Sequence, residues 1–279
     1  MNTSMIAASV TMGQLQKKID TVSHNMANAS TTGYKRREAT FSDLLFQQVN
    51  NQTVPSKEVG RLTPLGLRVG SGARIAQTAL RLDQGSMIPT DRELDFALTE
   101  RDQFFRIESI ENGVATERLT RDGAFYLTES EEAPGQWSLV TSSGSYVLGA
   151  DGNRMNVPDN FKSISLSNGQ LVATMGDGTT QALGQLGLTQ VLKPQLLEGV
   201  GDNLYQLSDF AALGFAEADV IQAVGLNQQA LSQGMLEGSN VDIGQEMSEL
   251  LTAQRHYQFN ARSISMADDM SGLINGIRR

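Results

Sequence analysis

The chain has no cysteine among its 279 residues, which excludes disulfide staples, a thiol nucleophile and cysteine-held zinc together. Histidine is nearly as scarce. His24 and His256 are the only two, each set in a helical stripe without a second ligand at metal spacing, so both read as solvated or interface residues. Basic residues fall short of acidic ones, 22 against 31, for a formal charge of -9, which argues against broad nucleic-acid binding. No apolar run reaches membrane-spanning length, so no membrane insertion is expected. A basic stretch followed by an apolar run and a small-residue cleavage site is also missing from the N-terminus. By themselves these last two absences predict a cytoplasmic protein.

Catalytic patterns are missing as well. Gly70-Ser71-Gly72 lacks the third glycine of a dinucleotide loop and reads as a turn, and neither a P-loop nor a nucleophile elbow occurs. The acid pairs Glu131-Glu132 and Asp268-Asp269 are adjacent residues that point apart, unlike two carboxyls flanking a glycosidic bond. Solvated charge is the reading for both. Lys35, Arg36 and Arg37 form a small basic cluster that reads as a solvated helix end at the negative pole of the dipole. The expectation is a protein that is not an enzyme, with no cofactor and no metal.

What is present is periodicity at both ends and turn chemistry between them. Met5, Ala8, Met12, Leu15, Ile19, Val22, Met26 and Ala29 recur at spacings of three and four, a heptad seam. Thr3 or Ser4 would cap its start, and Gly33, just past the seam, would close it in a left-handed conformation. Near the other end, Ile243, Met247, Leu250, Ala253, Tyr257, Ile264, Ala267, Met270, Ile274 and Ile277 repeat in the same way, with Asn260 filling one longer step. Asp242 followed by Gln245 has capping-box form, which places the start of that helix near Ile243.

Between the helices, Phe41, Leu44, Leu45 and Phe46 precede a polar stretch with Pro55 and Pro64, an extended arm. From Ala73 to Leu207 short apolar runs alternate with turns: Phe104 to Ile107, Phe125 to Thr128, Trp137 to Val140 and Tyr146 to Leu148 read as strands. Asp122-Gly123, Asp151-Gly152, Asn168-Gly169 and Asp177-Gly178 read as turns. The expected fold is α+β. Residues 1–33 form an N-terminal helix, 34–72 an arm or hairpin linker, 73–224 a central mostly-β domain, 225–242 a return linker and 243–279 a C-terminal helix. Short isolated helices are marginal in water, so the two ends are expected to pair in a coiled-coil-like helical domain. Separate docking of each stripe on a globular core is the alternative.

The run Asn25, Met26, Ala27, Asn28, Ala29, Ser30, Thr31, Thr32, Gly33, Tyr34, Lys35 resembles the N-terminal signature of flagellar basal-body rod and hook proteins. Leu236, Glu237, Gly238, Ser239, Asn240, Val241, Asp242, with Glu246, Met247, Leu250, Gln254, Arg255, Tyr257 and Asn260, resembles the second signature of the same family. Asp95-Phe96-Ala97-Leu98, Phe104-Phe105-Arg106-Ile107, Leu119 to Phe125 and Gly201-Asp202-Asn203-Leu204-Tyr205 look like its β-domain strands, so the likeness covers nearly the whole chain. The arm makes the chain most similar to the distal rod subunit, with hook or proximal rod subunits as the alternative. One departure is local: Glu100, Arg101 and Asp102 stand where the family has glycines, which puts that turn in doubt.

The resemblance implies a structural subunit that polymerises helically into a hollow shaft, with its terminal helices inside and its β domain outside. Torque would pass along the shaft and later flagellar proteins through it. It also implies other rod and hook subunits as partners. Export would run through the flagellar type III apparatus without a cleaved signal, which replaces the cytoplasmic expectation. Phe41 and Leu45 resemble an aromatic-x-x-x-aliphatic export motif. The expected self-assembly residues are Met5, Met12, Leu15, Ile19, Val22, Asn25, Asn28, Gly33, Tyr34, Asn240, Val241, Asp242, Met247, Leu250, Tyr257, Asn260 and Ile264. Before assembly the helices are expected to lack a full partner surface and to order on association.

Overall fold

A computed structural model describes residues 3–43, 47–49, 67–69, 73–111, 113–130, 134–201, 203–210, 212–225 and 231–277. The chain divides into two compact units. One comprises residues 1–26, 37–79 and 243–279, the other residues 27–36 and 80–242.

In the first unit α1 spans Thr3–Ala27. Its buried positions are Ala8, Leu15 and Val22, with Met5, Met12, Ile19 and Met26 half-buried, so the heptad seam is the face withdrawn from water. Thr3 and Ser4 lie within the helix, and their side chains are outside the described residues. The helix stops at Ala27, well short of Gly33, because the Thr31 amide donates to the Asn28 carbonyl at 3.2 Å in a turn. Strands Arg37–Asp43 and Ala73–Leu80 pair with each other, and Gln47–Val49 pairs with Leu67–Val69 in antiparallel register. Leu44, Leu45 and Phe46, and most of the expected arm, lie outside the described residues.

The second unit contains the short helix α2, Glu217–Val220, and a ten-stranded sheet. Along its main path run Asn156–Pro158, Gln136–Thr141, Tyr146–Val147, Gln103–Glu111, Val114–Thr120, Leu204–Leu207 and Leu197–Gly201. A separate three-stranded meander joins Phe161–Ser167, Gln170–Met175 and Thr180–Gly184. Side chains alternate across the sheet, so the adjacent Phe104 and Phe105 serve different cores. Phe105 packs edge-on against Phe125, ring centroids 5.1 Å apart, in a cluster with Phe96, Leu98, Ile107 and Leu139. Phe104 meets Tyr205 at 5.7 Å in a second cluster with Leu82, Leu119, Val191 and Leu197. The four strands read from the sequence are present.

Asn168 and Gly169 both adopt positive φ in the meander's first turn, as a two-residue hairpin requires. Asp122-Gly123 is a different feature. Gly123 has no positive φ; it is small because a Cβ there would overlap the Phe96 carbonyl. Strands Leu231–Gln233 and Met235–Glu237 then return to pair with Phe96–Leu98 and Met87–Pro89.

The last helix, α3, spans Ile243–Ile277 and begins where the Asp242 and Gln245 pattern places it.

Candidate functional site

The two signature segments divide between the two units. In the first unit Asn25 is buried, and its side chain treats Arg37 as a strand neighbour would. Its amide donates to the Arg37 carbonyl at 2.8 Å, and its oxygen accepts from the Arg37 amide at 3.0 Å. The same amide donates to Glu246 Oε2 at 3.1 Å, which ties α1 to α3. Lys18 pairs with Glu249 at 3.4 Å and lies 5.7 Å from the centre of the Phe41 ring. Phe41 is exposed, and Leu45, the other half of the expected export motif, lies outside the described residues.

On α3 the buried face runs through Glu246, Leu250, Ala253, Tyr257, Asn260, Ile264 and Ala267, at alternating steps of four and three. The middle of the expected stripe is this face. Its ends are not: Ile243, Met247, Met270 and Ile274 are exposed. A reading based on hydrophobicity selects Met247, whereas the carboxylate of Glu246 takes the inward position because Asn25 receives it there.

The second unit holds Gly33, Tyr34 and Lys35, all buried. Gly33 has a φ of +68°, and a Cβ on it would lie 2.5 Å from the Asp122 nitrogen. It is therefore a crossing point for two backbones. Its amide donates to the Glu237 carbonyl at 2.8 Å. Lys35 corrects the expectation of a solvated helix end: its side chain is fully buried, with Nζ donating to Glu237 Oε1 at 2.7 Å and to the Asp83 carbonyl at 2.8 Å. Arg121, equally buried, donates to Glu237 Oε2 from Nε at 2.8 Å and from Nη2 at 2.7 Å. Its Nη1 reaches the carbonyls of Glu100, Arg101 and Gln103. The turn at Glu100, Arg101 and Asp102 thus presents two of its carbonyls to this guanidinium. Glu237 Oε1 also accepts from the Gly85 amide at 3.0 Å.

Burial works against charge on Glu237, but Arg121, Lys35 and the hydrogen bonds from Lys35 and Gly85 outweigh it and hold the carboxyl below its ordinary range. Burial, with the neighbouring Arg121 cation, lowers Lys35 in spite of Glu237. Asp122 is pushed up by burial, although the Ala124 amide and the Thr32 hydroxyl donate to it.

Asn240 stands beside this cluster. Its side-chain oxygen accepts from the Arg36 amide at 2.7 Å, and its nitrogen donates to the carbonyls of Arg81 and Asp83. Asn28 accepts from the Thr31 hydroxyl at 3.3 Å, Val241 is half-buried and Asp242 is exposed. The Lys35, Arg121 and Glu237 cluster was not found as a site from sequence. Its one trace there is that Lys35 and Glu237 fall inside the two signatures, Lys35 two positions after Gly33 and Glu237 just before Gly238.

His24 and His256 are exposed, as are Asp268 and Asp269, while Glu131 and Glu132 lie outside the described residues. Among the described residues no three His, Asp or Glu side chains gather to hold a metal, and no helix is long and apolar enough to cross a membrane.

Comparison with known proteins agrees with both signatures. The family model for the flagella basal body rod protein matches residues 5–35, and that for the C-terminal region of flagellar basal body rod FlgEFG proteins matches residues 232–277. The chain is 42% identical to the flagellar hook-basal body complex protein FlhP of Bacillus subtilis over 99% of each chain. It is 34% identical to the flagellar basal-body rod protein FlgG of Borreliella burgdorferi, covering 95% of this chain and 94% of that one. With FlgG of Agrobacterium fabrum the identity is 31% over 98% of each. Matching at both signatures and along almost its whole length, the chain belongs to the flagellar basal-body rod protein family.

Proposed function

We propose that the chain is a structural subunit of the distal rod, polymerising helically into the hollow drive shaft of the flagellum. The observation that carries this reading is a second apolar seam on α3. Phe259, Met266, Met270 and Leu273 are 62%, 58%, 56% and 68% exposed, and at 100° per residue they share an arc of about 60°. That arc lies roughly 140° round the helix from the buried face. On α1, Ile6 and Val10 are exposed about half a turn away from Ala8, Leu15 and Val22. A chain that left both stripes in water would carry large apolar patches; neighbouring copies cover them.

In this reading α1 and α3 pair as a coiled coil through Met5, Met12, Leu15, Ile19, Val22, Leu250, Tyr257 and Ile264, held in register by Asn25. The outer seams then meet other copies in a heterologous contact that does not close, which builds a filament. Other rod and hook subunits adjoin it at either end, and the type III apparatus delivers it. Its function is mechanical and uses no cofactor. Placement elsewhere in the hook–basal body is the second reading, favoured by the name of the FlhP relative. Imaging basal bodies from a deletion strain separates the two. A rod that stops before its distal part supports the first reading, and a complete rod without a hook, or a rod missing from its proximal part onward, supports the second.

A further inference from the structure

The Lys35, Arg121 and Glu237 cluster lies where the chain enters and leaves the second unit. The chain departs after residue 36, returns at residue 80 and departs again after residue 242. Each passage is tied to the same spot. Lys35 and the Arg36 amide come from the first, the Asp83 carbonyl and Gly85 amide from the second, and Glu237 with Asn240 from the third.

The three charged residues differ in how much they depend on one another. Arg121 has three carbonyl acceptors within its own neighbourhood, all from residues 100–103, and lies 5.6 Å from the centre of the Phe104 ring. It can enter the sheet without Glu237. Lys35 is different, because its two acceptors are the Asp83 carbonyl and the Glu237 carboxylate, 202 residues further along the chain. Stripped of that carboxylate, a fully buried ammonium beside a guanidinium is strongly unfavourable. The turn that carries Lys35 also leans on the same late segment through its backbone: Gly33 donates to the Glu237 carbonyl and Arg36 to the Asn240 side chain.

We infer that Glu237 is a closing latch, so that the sheet of the second unit forms first and the signature turn at residues 27–36 docks onto it last. A chain is made from its N-terminus, and Glu237 follows every other residue of the cluster. The turn linking α1 to the sheet therefore stays undocked until the start of α3 is close behind it. The two helices that build the polymer become available together, and α1 is not presented alone on a half-made subunit.

The test uses the full-length chain. Pulse-labelled hydrogen exchange during refolding should show the sheet amides at 103–120 protected about tenfold earlier than the Gly33 and Arg36 amides. Glu237→Gln should speed unfolding about tenfold and leave the sheet's refolding rate, read from Trp137 fluorescence, within about twofold. Should Glu237→Gln alone fail to fold, the double variant with Lys35→Met, which removes the stranded amine, should fold and recover most of the loss. Turn amides protected together with the sheet, refolding slowed as much as unfolding is sped, or no rescue by Lys35→Met would each overturn the latch.

Discussion

Asn25 and Glu246 lie 221 residues apart in sequence and meet side chain to side chain at 3.1 Å, both buried. Because Asn25 also holds both backbone groups of Arg37, its replacement by Ala withdraws hydrogen bonds from a buried carboxylate and from a strand start. We expect a loss of about 2–4 kcal/mol from the first unit, seen as faster amide exchange at residues 243–250. Glu246→Gln keeps an acceptor and is expected to cost less than half as much. Equal losses would show that charge, not the bond, matters there.

The buried cluster sets a pH response whose two arms have different origins. Glu237 is held below its ordinary 4.5, so its contribution to stability is complete above that value and is lost as pH falls through the lowered one. Lys35 is lowered from 10.5. The unfolded chain then binds more protons than the folded one, and stability rises as pH climbs through the lowered value towards 10.5. Asp122 is raised above 3.8 and favours the fold at low pH, losing that contribution as pH rises through its raised value. Urea unfolding from pH 3 to 10 should show the alkaline rise in the wild type and not in Lys35→Met. A rise that survives in that variant would place it on another group.

Two glycines are expected to respond in opposite directions to the same substitution. Gly33→Ala puts a Cβ 2.5 Å from a backbone nitrogen at a φ of +68° and should cost more than about 1–2 kcal/mol. Gly13 lies inside α1 with nothing within 4 Å of a Cβ. There alanine should add about 0.5–1 kcal/mol of helix stability. Thermal melts of the two purified variants decide the matter.

Assembly can be separated from folding by choosing the face. Ile19→Asp places a charge on the half-buried seam of α1 and should abolish rods while the sheet unit melts as in the wild type. Met270→Asp changes an exposed position and should leave the melt unchanged within about 0.5 kcal/mol, yet still lower the extent of polymerisation. Normal rods in cells carrying either variant would remove the seams from the mechanism.

Much of this was legible from local pattern. The α1 seam could be read because burial there follows hydrophobicity at a fixed period, and Asn168-Gly169 because positive φ restricts which residues serve. The outer parts of the α3 stripe misled for a related reason. Met247 and Met270 fit the period but face outward, and Glu246 turns inward because a partner 221 residues away receives it. Composition likewise assigns Lys35 to water, since a lone lysine after a helix has no reason to be buried until Glu237 is beside it.

Family membership, the order of helices and strands, and the glycine turns follow from the amino-acid order alone, because each depends on residues within a few positions of one another. Which charges are buried and which face of α3 is left outward were decided only by folding. These depend on acceptors supplied from far along the chain, and the cost of burying a polar group is set by the partner it finds there.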